Sequence, residues 1–81
     1  MDSKDFIDQK AFKSLTEGQK GYLQEAYDKM LEENKGKTLS AAEQQNWITN
    51  YLTQVDTNAA EAYGKILSAG TSATQNIYAN M

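Results

Sequence analysis

Eighty-one residues, 40% hydrophobic and 23% charged, make a 9.0 kDa chain sized for one small domain. Cys, His, Pro and Arg are all absent, which removes disulfides, thiolate nucleophiles, zinc clusters, the imidazole proton shuttle and the guanidinium fork that reads phosphates and guanine edges. A net charge of −3 is neither a basic nucleic-acid footprint nor the mark of a heavily acidic duplex mimic.

With no Pro, and with apolar residues recurring every three or four positions, the pattern predicts helices throughout. The first runs from about Ser3 to Lys13 with Phe6, Ile7, Ala11 and Phe12 on one side and Leu15 just beyond. Asp2 or Ser3 caps it, Asp5 sits in its first turn, and Lys10 and Lys13 stand near its negative end. The second opens on Thr16-Glu17-Gly18-Gln19, a capping box, and carries Tyr22, Leu23, Ala26, Tyr27, Met30 and Leu31 on one face. Asn34 to Lys37 stops it, with Gly36 suited to the left-handed conformation of a helix end.

The third helix opens on a second capping box, Ser40-Ala41-Ala42-Glu43, carries Trp47, Ile48, Tyr51, Leu52 and Val55, and ends near Val55. Asn58, with Glu61 three residues on, offers the cap of a fourth. Its stripe of Ala59, Tyr63, Ile66, Gly70, Ala73 and Ile77 has the 4-3 spacing of a helix packed along another helix. Gly70 supports two readings: a helix end followed by a frayed or partner-ordered tail over 70–81, or, with Ala69 and Ala73, a flat strip that lets another backbone approach closely.

The sum is an all-α fold over 1–81: a small antiparallel bundle of three principal helices plus a short N-terminal one. Tyr22, Leu23, Tyr27, Met30, Leu31, Ile48, Leu52, Val55, Tyr63, Ile66 and Leu67 are expected to form the core, with Phe6, Ile7 and Phe12 closing one end.

Motifs of chemistry fail on spacing. Gly36-Lys37-Thr38 ends like a phosphate-binding loop, but Leu31 stands where that pattern needs Gly. Asp56-Thr57-Asn58 begins like a calcium loop, but Glu61 and Leu67 occupy its Gly and Glu positions. No spacing assembles a nucleophile with its base. The expectation is a non-enzymatic chain with no catalytic residue, cofactor or metal. Glu25, Asp28, Glu32 and Glu33 line one side of the second helix with Lys29 among them, and the simplest reading is a solvated face.

Charge is unevenly placed. Residues 1–37 hold eight acids and seven lysines, whereas 38–81 hold only Glu43, Asp56, Glu61 and Lys65, and the sixteen residues after Lys65 hold none. Eighteen Ser, Thr, Asn or Gln residues lie between Thr38 and Asn80. A helix facing bulk water normally carries Lys and Glu, while interface centres are depleted of charge. The C-terminal half therefore reads as a docking surface, with Ile77 and Tyr78 as anchors, Gly70 and Ala73 as the close-approach strip, and Trp47 next.

A charged first helix, a turn and a neutral C-terminal helix resemble the needle subunits of type III secretion systems. Glu25-Ala26-Tyr27-Asp28-Lys29-Met30 and Leu39, Ala41, Ala42 and Gln44 are similar to the two sides of that family's helical hairpin, over less than half the chain. The Asn34-Lys35-Gly36-Lys37-Thr38 turn lacks the family's prolines, so no membership is assigned.

The expected function is a helical interaction module that docks through its uncharged C-terminal helix onto itself or a larger partner in a structural assembly. The alternative is a small acidic inhibitor or immunity-type protein, of the phage-encoded kind, that blocks a basic enzyme surface through Glu25, Asp28, Glu32 and Glu33. Neither reading involves nucleic acid or a membrane span. Met1-Asp2-Ser3-Lys4-Asp5 does not open a signal peptide, so cytoplasmic residence is the default expectation; leaderless export and packaging in a virion are compatible with the same residues.

Overall fold

The computed structural model describes residues 2–68, and over them the chain forms four α-helices and one 3-10 turn, with no strand among the described residues. Helix α1 spans Ser3–Ile7, where the Asp2 carboxylate accepts the Asp5 N–H at 2.8 Å. The continuous helix expected as far as Lys13 is not formed. Gln9 turns extended (φ −62°, ψ 147°) and Lys10–Phe12 makes a separate 3-10 turn. The Gln9 side-chain amide donates to the Phe6 carbonyl at 3.1 Å, the acceptor that a continued helix would have given to Lys10. The break serves packing. Six residues apart on an unbroken helix, Phe6 and Phe12 would point about 120° away from each other; here their ring centroids are 5.1 Å apart.

Helix α2 spans Glu17–Glu33 and starts at the expected capping box, with Gln19 N–H donating to Thr16 Oγ1 at 3.1 Å and Thr16 N–H to Gln19 Oε1 at 2.9 Å. At its end the Asn34 side-chain amide and backbone N–H both donate to the Met30 carbonyl, at 2.9 and 3.0 Å. Gly36, at φ +85°, then turns the chain through the left-handed region. Helix α3 spans Ala41–Val55 and opens on the second capping box, formed by Ser40 and Glu43.

Helix α4 spans Thr57–Ser68. Its cap is Asp56, a correction to the expected Asn58, which lies inside the first turn. Asp56 closes α3 through its N–H to the Leu52 carbonyl at 2.8 Å. It opens α4 by accepting Asn58 N–H on its carboxylate at 3.0 Å and Ala60 N–H on its carbonyl at 3.1 Å.

The core is an aromatic ladder flanked by aliphatic groups. Phe6 stacks on Tyr27 of α2 with centroids 4.1 Å apart, meets Phe12 on its other side, and Phe12 reaches Tyr63 of α4 at 6.2 Å. The N-terminal rings are thus part of the buried core. Leu15, Leu23, Ala26, Met30, Ile48, Leu52 and Ala59 are buried around them, and Ile66 and Leu67 pack against the cluster from its edge. Each large side chain so buried contributes about 1.5–3 kcal/mol.

Three expected core residues are not in the core. Tyr22 and Leu31 are each 38% exposed. Nine residues apart on α2, they point in nearly opposite directions, and the buried stripe of Leu23, Ala26, Tyr27 and Met30 runs between them. Val55 is 43% exposed because α3 ends there and the chain turns away into α4. Ala59 and Tyr63 of the expected α4 seam are buried and Ile66 packs against the core, whereas Gly70, Ala73 and Ile77 lie outside the described residues.

Candidate interaction surface

The periodicity that buries Ile48 and Leu52 places Trp47 and Tyr51 on the flank of α3 nearest α2. The two rings, one helical turn apart, stack with centroids 5.7 Å apart and planes 13° apart, each half-buried. Lys29, placed by the sequence between Glu25 and Glu33, reaches across to α3, its ammonium 6.0 Å from the Tyr51 centroid, at the outer range of a cation–π contact. Desolvation pushes the Tyr51 phenol up, helped by the Glu25 charge, a hydrogen bond to the Glu25 carboxylate, and the Glu33 charge.

Outward of this pair, α3 is nearly free of charge. Its one ionisable acid, Glu43, is committed to the Ser40 cap, whose backbone and side-chain hydrogen bonds hold that carboxyl below its ordinary value. Ala42, Asn46, Asn50, Thr53 and Gln54 present an exposed, neutral face. Trp47 therefore borders an uncharged surface, as the sequence suggests. The other sequence-derived anchors, Gly70, Ala73, Ile77 and Tyr78, lie outside the described residues.

Glu25, Asp28, Glu32 and Glu33 are all exposed along α2, with Glu25, Asp28 and Glu32 on one side of the helix and Glu25 and Glu33 close enough to Tyr51 to raise its phenol. Among the described residues no group of three or more Asp or Glu side chains is placed to hold a metal ion, and no helix is long and apolar enough to cross a membrane.

One feature was not anticipated. The end of α2, the loop over 34–40 and the start of α3 enclose a cleft of about 350 Å³, with Met30, Leu31 and Leu39 as apolar walls and Lys35 and Lys37 on the loop. Gln44 also lines it and is only 2% exposed. Its amide nitrogen donates to the Leu39 carbonyl at 3.0 Å, while Oε1 is buried with no hydrogen-bond partner among the described residues. The available signal was spacing: Gln44 stands one turn before Ile48 on the stripe that continues through Leu52.

No family model, curated protein or solved structure matches this chain.

Proposed function

We propose that the chain is a non-enzymatic protein–protein interaction module that docks through its neutral C-terminal half onto copies of itself or a larger partner in a structural assembly. The observation that carries this reading is the outer face of α3, a fifteen-residue helix whose one charge is tied into its own cap and whose exposed side chains are neutral beside the Trp47–Tyr51 pair. A face meant only for water gains solubility and helix-stabilising pairs from Lys and Glu; an interface centre loses free energy by burying them. The charge-free sequence after Lys65, with Ile77 and Tyr78, extends the same character. Light scattering of wild type, Trp47→Ala and Ile77→Asp tests it. Both substitutions are expected to weaken association without loss of helical circular dichroism, and unchanged association in both would overturn it.

The exposure of all four α2 carboxylates supports a second reading, an acidic blocker of a basic enzyme surface. Salt separates the two. Docking through neutral groups persists at 0.5 M salt, whereas carboxylate-led blocking weakens steeply as the Debye length contracts to about 4 Å.

A further inference from the structure

We propose that the cleft at the α2–α3 turn is a peptide pocket, taking from a partner protein a short segment in which a large apolar side chain stands beside an acidic one. The pocket is separate from the neutral face of α3 and does not depend on self-association. Its volume of about 350 Å³ lies within the range of about 300–1,000 Å³ typical of ligand sites. Met30, Leu31 and Leu39 supply walls for an apolar side chain. The loop over 34–40 carries Lys35 and Lys37 and no acid, in a chain whose net charge is −3. Of the acids on the adjoining helix ends, Glu43 is held by Ser40, Glu33 lies near Tyr51 and Glu32 is exposed. An anionic group on the ligand thus meets cations at the rim.

Gln44 decides between ligand classes. Its Oε1 is a buried acceptor without a donor, a state that costs free energy until one arrives. A peptide brings backbone N–H groups; a fatty acid has an apolar body and an anion but, once ionised, no donor. In the free chain Oε1 is covered, so a donor reaches it when the loop over 35–39 gives way. That stretch lies outside any helix and contains the Gly36 turn.

The test is a random-peptide display library panned on the full chain and counter-selected on Leu31→Asp. Enriched peptides are expected to carry Leu, Ile, Met or Phe within two positions of Asp or Glu, and to slow hydrogen exchange over 35–39. Their affinity, read by fluorescence anisotropy, is expected to fall at least tenfold in Gln44→Met and in the double variant Lys35→Glu, Lys37→Glu. Should Gln44→Met fail to fold, the exposed lysine pair decides. No enrichment over Leu31→Asp, peptides lacking the acidic–apolar pairing, or affinity indifferent to these changes would overturn the proposal. Decanoate binding in the cleft without peptide selection would assign it to a lipid anion and overturn it equally.

Discussion

Phe6 and Tyr27 lie ring on ring, centroids 4.1 Å apart and planes 13° apart, both with no surface left to solvent. This contact fastens the five-residue α1, too short to be stable alone, to the middle of α2. Phe6→Ala is expected to cost about 3–5 kcal/mol, close to the whole stability of so small a domain. A thermal melt followed by circular dichroism checks it; a variant melting within a few degrees of wild type would place the ring outside the cooperative core.

Leu52 and Leu31 share a side chain but differ in environment. Leu52 is fully buried, whereas Leu31 is 38% exposed at the rim of the cleft. The sequence pattern assigns both to the core with equal cost. The structure separates them: Leu52→Ala is expected to lose about 2–5 kcal/mol and Leu31→Ala about 1 kcal/mol or less. Urea denaturation of the two variants measures the difference, and equal losses would contradict the burial pattern.

Alkaline pH should unfold the chain through its tyrosines. Burial, then the charges of Asp2 and Asp28, push the Tyr27 phenol up from 10.0 to about 12, and Tyr51 shifts the same way. The folded chain keeps a proton that the unfolded chain releases, so stability is full below pH 10 and is lost as pH rises toward 12. Tyr27→Phe retains the ring and removes the ionisation, and is expected to flatten that loss. Wild type and variant with the same stability profile between pH 10 and 12 would rule out Tyr27 as a source.

The α3 cap links a hydrogen bond to an acid. Ser40 holds the Glu43 carboxyl below its ordinary value, so its stabilising contribution is present above the unfolded value and is lost as pH falls through the folded one. Ser40→Ala removes the hydroxyl that accepts the Glu43 N–H but keeps the Ser40 N–H that donates to the Glu43 carboxylate, so it should destabilise the chain by about 1 kcal/mol while the Glu43 titration, followed by NMR, moves only part of the way toward the ordinary carboxylate range. A variant as stable as wild type would contradict the cap.

Local signals read most reliably from the sequence. Both capping boxes, the left-handed Gly36 and the end of α3 at Val55 are set by residues within one turn of each other, so the pattern alone places them. What escaped depends on tertiary packing. The kink at Gln9 exists because Phe6 and Phe12 must both reach the centre, and no local preference of Asp8 or Gln9 announces it. The pattern assigns Tyr22 and Leu31 to the core because the apolar stripe on α2 is wider than the surface its neighbours cover. Asp56 displaced Asn58 as cap because a single residue serves two helix ends. Of the candidate surfaces, the neutrality of α3 is legible in charge placement. Gln44 stands on the buried stripe by spacing, one turn before Ile48, but its polarity masks that position until α2 and its loop are folded over it.

Trp47 is the chain's one tryptophan and borders the neutral face of α3, so a change in its quencher access on assembly reports on that side of the helix. Acrylamide quenching of Trp47 across a concentration series, run beside sedimentation equilibrium at low and 0.5 M salt, is the most direct measurement. The expected result is association at both salt concentrations, with quencher access falling in step with assembly. A chain that stays monomeric to millimolar concentration, or one that assembles with Trp47 quenched as freely as before, would contradict docking of copies through this face.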